Sequence, residues 1–181
     1  MEIVHRTNNI DFLYKHYYNY NLRNFEIDIQ PYKNLIILHH DEILLNNNID
    51  NILTLEEFLK HTPNDITINI EIKKYKTYKN IIPDVKKLMQ KYINKKYIIS
   101  SFDKDICNDF IKIGGYEIIY LIGELENYDK TYKNICIHKK FLDILNYHNH
   151  EKIYVYGIHN NEFQIEINRY KFITGWIIDY L

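Results

Sequence analysis

The sequence predicts a compact α/β barrel of the (β/α)8 TIM type with short or missing helices. Three observations carry that expectation. Short runs rich in Ile, Tyr, Val and Phe recur along the 181 residues, and such runs read as strands. Segments with helical spacing lie between most of them, and strand–helix alternation argues for a parallel sheet. Acidic, basic and imidazole side chains gather at or near the ends of several strand runs, where parallel barrels assemble their sites. About 250 residues is usual for such a barrel, so this length forces economy in the helices.

The strand runs are Glu2–His5, Phe25–Gln30, Leu35–His40, Ile66–Lys73, Tyr97–Phe102, Glu117–Ile122, Asn134–His138, Lys152–Ile158 and Trp176–Tyr180. Pro31 to Asn34 is a turn signal between the second and third runs. Helical spacing covers Asp11–Tyr20, Leu55–His61, Lys79–Asn94, Lys104–Ile113, Lys140–Tyr147 and Glu162–Tyr170. Thr54 is a candidate N-cap ahead of Glu56 and Glu57. Pro83 must sit in the first turn of its helix or break it. Gly114 and Gly115 suit a helix stop. Asn46 to Asn51 reads as a polar surface loop. No low-complexity linker or internal repeat divides the chain, so residues 1–181 read as one domain.

Composition narrows the function classes. The net charge of −1 argues against a general nucleic-acid binder. Hydrophobic residues make up 46% of the chain, enough for a core. There are 18 Tyr, 5 Gly and 3 Pro, and no Ala. This pattern reads as an A/T-rich genome, with tyrosines mostly packing at core edges. Cys107 and Cys136 lack metal-ligand spacing and read as buried small side chains, with a disulfide between them left open. No run approaches the ~18 apolar residues of a membrane span. Nothing near the start resembles a signal peptide, so a cytoplasmic protein is expected.

Five segments carry chemistry: His5-Arg6, Glu26-Ile27-Asp28, His40-Asp41, Glu71-Ile72-Lys73 and Gly175 to Asp179. Residues two apart on a strand share a face. Glu26 therefore looks the same way as Asp28, and Glu71 the same way as Lys73. Three carboxylates, a lysine, an arginine and two histidines at strand ends suit metal-assisted cleavage of a phosphodiester. Alternation alone also fits surface carboxylates at 26 and 28, and a surface pair of Glu71 with Lys73 worth about 0–1 kcal/mol. The coincidence of several segments favours the site. His39 and His40 face opposite ways, and His40 is the one expected in the barrel mouth. His16, His61, His138, His148, His150 and His159 read as packed or exposed.

In this order, with Ser101-Phe102-Asp103 added, the motifs resemble the glycerophosphodiester phosphodiesterase family, among the phospholipase-C-like barrel phosphodiesterases. The resemblance implies that Glu26, Asp28 and Glu71 bind one divalent cation, Mg²⁺ or Ca²⁺. It implies His5 and His40 as the acid–base pair, and Arg6 and Lys73 as holders of the phosphate oxygens. Thr7 stands where the family usually has glycine, and the family's Pro-Glu-Asn segment is missing. His5-Arg6-Thr7-Asn8 instead looks like a smaller His-Arg-x-Asn branch. Asn8 is then expected to fix a loop or orient a ligand, Asp41 to orient a histidine or cap the next segment, and Tyr156 to line the pocket. Ser101 and Asp103 read as helix caps, Asp179 as barrel closure and Trp176 as core. The short stretch from His40 to Ile66 predicts an open, shallow site.

The expected reaction is hydrolysis of a glycerophosphodiester to glycerol phosphate and an alcohol. One alternative is a phospholipase-D-like action on lysophospholipid or sphingomyelin headgroups. Another is a non-catalytic phosphate-binding module. The expected partner is a small phosphodiester or a lipid headgroup, not nucleic acid, with peripheral membrane contact left open.

Overall fold

The computed structural model describes residues 1–43, 52–75, 80–143 and 150–180. The Asn46–Asn51 patch, His148 and the second half of the helix expected at Lys140–Tyr147 lie outside the described residues. Nine strands are present among those described: β1 (Glu2–Val4), β2 (Asn24–Tyr32), β3 (Leu35–Leu38), β4 (Thr67–Ile72), β5 (Lys96–Ser101), β6 (Glu117–Ile122), β7 (Asn134–His138), β8 (Lys152–His159) and β9 (Gly175–Asp179). Eight of them pair in parallel around a closed ring, β1-β2-β4-β5-β6-β7-β8-β9, and β9 returns to β1.

The third apolar run is not a stave. β3 pairs antiparallel with β2 as a hairpin. The turn is also tighter than Pro31 to Asn34 suggests. Pro31 lies within β2, opposite Ile36, beyond the last pair of β2 with β4. One side of the strand is free there, so the missing N–H breaks no ladder bond. Lys33, at φ 54, makes the reversal.

Alternation along each strand sorts side chains into two compartments. Ile68, Ile70 and Ile72 of β4, with Phe25, Ile27 and Ile29 of β2, face outward into a core shared with the helices. Inward positions are mixed. Ile3, Ile98, Ile119, Leu121, Cys136, Tyr154 and Ile177 form an apolar plug inside the barrel. Glu26, Asp28, Asn69, Glu71 and Ser100 are buried polar residues on the inward-facing parity of β2, β4 and β5.

The helices are α1 (Ile10–Asn19), α2 (Leu55–His61), α3 (Ile82–Lys91), α4 (Lys104–Ile113) and α5 (Phe163–Arg169). Their ends follow local chemistry. Thr54 caps α2 in a capping box with Glu57. Asp103 caps α4, its Oδ1 accepting from the amides of Asp105 and Ile106. Pro83 sits in the first turn of α3. Only single 3₁₀ turns, Leu125–Asn127 and Lys139–Phe141, follow β6 and β7 among the described residues. The helical spacing from Lys140 thus starts as a 3₁₀ turn. Cys107 and Cys136 are free and buried. Burial pushes the Cys107 thiol up to about 12.

Tyr154 fills the N-terminal end of the barrel, where its hydroxyl donates to Glu117 at 2.6 Å. A Cβ at Gly175 would lie 2.5 Å from the Tyr154 ring and 3.2 Å from a backbone oxygen. Gly175→Ala should therefore overpack the barrel floor and lower stability by about 1–3 kcal/mol in urea unfolding. Unchanged stability would show that the ring moves freely.

Candidate active site

The C-terminal mouth of the barrel gathers what the sequence singled out. β2 and β4 run in register, so Asp28 lies beside Glu71 and Glu26 beside Asn69. One ligand oxygen each from Glu26, Asp28 and Glu71 lies within 4.8 Å of the others, and all three residues are buried. Lys73 follows Glu71 by two positions and bridges two of them. Its Nζ lies 2.9 Å from Asp28 Oδ1 and 2.5 Å from Glu71 Oε1.

Three carboxylates face one ammonium. Burial, then repulsion from Asp28 and Glu71, pushes the Glu26 carboxyl well above its usual range. Burial also raises Glu71, although Lys73 opposes the shift. Burial works to lower the Lys73 pKa, but Glu71 and Asp28 outweigh it and hold the ammonium charged. Glu26 Oε1 is buried without a hydrogen-bond partner. A hard divalent cation fits this set by charge, by donor type and by that free oxygen.

The loop after β1 locks onto the cluster. Arg6 adopts a left-handed backbone, φ 51, which is uncommon outside glycine. Its amide donates to Glu26 Oε2 at 2.6 Å. Asn8 grips Asp28 twice: Asn8 Nδ2 donates to Asp28 Oδ2 at 2.9 Å, and the Asp28 amide donates to Asn8 Oδ1 at 2.9 Å. Asn8 thus orients a carboxylate and pins a loop together.

Both expected histidines line the same cavity of about 80 Å³, with Arg6, Glu26, Glu71, Lys73, Phe102 and Tyr156 also in its wall. The volume is small, and the Phe102 and Tyr156 rings meet edge-on at 6.1 Å across it. His5 Nδ1 lies 2.5 Å from Asp179 Oδ1, and its Nε2 is 3.9 Å from Glu26 Oε2. His40 Nδ1 lies 2.7 Å from Asp41 Oδ1, and its Nε2 is 2.7 Å from Arg6 Nη2. A guanidinium only donates. Neutral His40 therefore accepts at Nε2 and carries its proton on Nδ1, toward Asp41. The hydrogen bond to His40 lowers the Asp41 carboxyl, and that to His5 lowers Asp179.

Two contacts exceed the sequence reading. Asp179 was expected only to close the barrel, yet it also holds His5. The signal was available in register: His5 follows β1, whose Val4 pairs with Ile178, next to Asp179. Tyr75, which no motif singled out, donates its hydroxyl to the His40 carbonyl. One expectation is corrected. His40 does not end the third strand run, because β3 stops at Leu38. It reaches the mouth from the turn that follows, while the His39 amide donates to Asp28 O.

Four of the other described histidines have ordinary work. His16 and His61 bond helix carbonyls through Nδ1, and His150 lies against Tyr128 and the Tyr132 carbonyl. His138 accepts from the Lys140 amide and packs edge-on against Tyr156. Ser101 donates to Ile72 O within the barrel wall.

The raised Glu26 carboxyl sets a sign for pH dependence. Burial holds its proton to higher pH in the folded chain than in the unfolded chain. The folded state then binds more protons, so stability contributed by this site falls as pH climbs above 4.5. In chelator, the melting temperature of Glu26→Gln should fall less steeply above that pH than that of the parent protein. Parallel profiles would show that Glu26 is not strained by burial.

No protein-family model matches the sequence, and no curated protein sequence matches it either. Solved structures do match. A putative glycerophosphoryl diester phosphodiesterase from Agrobacterium tumefaciens superposes with a TM-score of 0.76 at 14% identity, covering 99% of this chain and 93% of that one. A second glycerophosphodiester phosphodiesterase from the same organism gives 0.68 at 12% identity, with coverage of 99% and 96%. A glycerophosphoryl diester phosphodiesterase domain from Mycobacterium tuberculosis gives 0.65 at 10% identity, with coverage of 99% and 96%. Over nearly its whole length, this chain has the barrel fold of the glycerophosphodiester phosphodiesterases.

Proposed function

We propose that the protein hydrolyses a phosphodiester with the help of one divalent cation, and that glycerophosphodiesters are its leading substrate class. A single observation carries the reading. Two imidazoles, each backed by a carboxylate, share one small cavity with an arginine, a lysine and Glu26 and Glu71, two of the three clustered buried carboxylates. The fold shared with solved glycerophosphodiester phosphodiesterases supports it.

Glu26, Asp28 and Glu71 would hold Mg²⁺ or Ca²⁺. The cation would supply charge to stabilise the phosphoryl oxygens as negative charge develops on them. The remaining work falls to the chain. Asp179 fixes the His5 ring with its Nε2 turned toward Glu26, and Asp41 fixes the His40 ring. One imidazole takes the proton of the attacking oxygen, and the other protonates the departing alkoxide. The attacking group is water or a neighbouring hydroxyl of the substrate. Arg6 holds a non-bridging oxygen by its fork of donors, giving up His40 Nε2 as it does so. Lys73 offers a charge that its carboxylate neighbours keep in place.

Phe102 favours a second reading. Its ring is 45% exposed at the cavity wall, and an apolar surface beside the site suits a lysophospholipid or sphingomyelin headgroup.

The test is a panel of glycerophosphodiesters and lysolipids assayed with Mg²⁺, with Ca²⁺ and with chelator. Turnover of glycerophosphodiesters should require the cation. His40→Ala and His5→Ala should each lower kcat by about 10²–10⁴-fold while the cation still binds. Preference for lysolipids would move the assignment to the second reading. Turnover that survives chelation, or none on any phosphodiester, would overturn the proposal.

A further inference from the structure

Beside the carboxylates lies a group of polar side chains that the reaction just described does not use. Asn69 is 1% exposed and Ser100 is fully buried. Neither the amide nitrogen nor the oxygen of Asn69 has a hydrogen-bond partner, and the Ser100 hydroxyl has none. Buried polar groups are nearly always paired, because an unpaired one carries a desolvation penalty of about 1–3 kcal/mol. Three unpaired atoms in one place therefore point to something that they hold.

Their placement narrows the choice. Ile68 and Ile70 flank Asn69 and pack in the outer core, so Asn69 faces the barrel interior. Ile99 beside Ser100 packs outward too, which turns Ser100 inward. Asn69 is the register partner of Glu26, and Ser100 is the register partner of Glu71. Adjacent strands lie only about 4.8 Å apart. Cys136 shares this space, and the charges of Glu71 and Glu26 add to burial in raising its thiol. Glu26 Oε1 is unpaired as well, on the same carboxylate whose Oε2 accepts from the Arg6 amide, whereas Asp28 Oδ1 has the Lys73 ammonium beside it.

The donors and acceptors match. Asn69 offers two N–H donors and one acceptor, Ser100 offers one of each kind, and Glu26 Oε1 needs a donor. We propose that Ser100, Asn69 and one lone pair of Glu26 Oε1 enclose one buried water molecule, and that this hydrogen-bonded relay positions Glu26 so that its remaining lone pairs face the divalent cation. Asn69 and Ser100 are then positioning residues that act through Glu26. Groups that orient a metal ligand are typically worth about 10–100-fold in affinity. The inference rests on the reading of Glu26, Asp28 and Glu71 as the cation site.

The test is calorimetric titration of the full chain with Mg²⁺ and with Ca²⁺, alongside its melting temperature in chelator. Asn69→Leu keeps the number and branching of the side-chain heavy atoms and removes the polar atoms. It should bind the cation about 10–100-fold more weakly, with no loss of melting temperature in chelator. Ser100→Ala, a milder change, should weaken binding in the same direction, and Ser100→Thr should restore it. A purely structural role would move the melting temperature and leave the affinity alone, and that result would overturn the proposal. Parental affinity in both Asn69→Leu and Ser100→Ala would overturn the relay while leaving the cation site standing. A parent protein that binds neither cation would overturn both.

Discussion

Glu26, Asp28 and Glu71 sit out of water with Lys73 as the one ammonium ion-paired within the cluster. Carboxylates in such a place stay ionised only if positive charge comes to them, and otherwise take up protons. Much of the mouth follows from this imbalance. The Arg6 amide and the Asn8 side chain are spent on holding two of the carboxylates. The left-handed backbone at Arg6 carries a local conformational cost that these contacts offset. An arrangement that concentrates negative charge and then braces it is poorly explained by stability alone. It is well suited to receiving a cation.

The barrel makes that concentration feasible. Parallel strands in register place inward residues of β2, β4 and β5 side by side, and period-2 alternation keeps the intervening isoleucines on the outer face. The floor is closed by Tyr154 and the apolar plug, so polar groups collect toward the C-terminal end. Helices matter less to the site. Two of the crossovers use only a 3₁₀ turn among their described residues, which is how a short chain retains a closed ring of eight staves.

Much of this was legible in the sequence, for a physical reason. Strand runs such as Ile66–Lys73 alternate cleanly, so Glu71 and Lys73 announce a shared face without any structure. Capping chemistry was equally local: Thr54 and Asp103 could be read one turn ahead. What was hidden depended on partners far away in the chain. Leu35 to Leu38 has the composition of any buried strand, and only the pairing edge that it occupies makes it a hairpin arm instead of a stave. Asp179 was visible as an acidic residue ending a strand, but its partner His5 is 174 positions away. Tyr75 disappears among many tyrosines, and nothing in the sequence marks its contact with the His40 carbonyl.

The central claim is that the buried carboxylates form a divalent-cation site. The most direct measurement is anomalous diffraction from a crystal of the protein soaked in Mn²⁺, a redox-quiet stand-in for Mg²⁺ with the same preference for oxygen. One strong peak is expected within coordination distance of Glu26, Asp28 and Glu71 together. A map with no peak there, or with Mn²⁺ only on surface carboxylates, would contradict it.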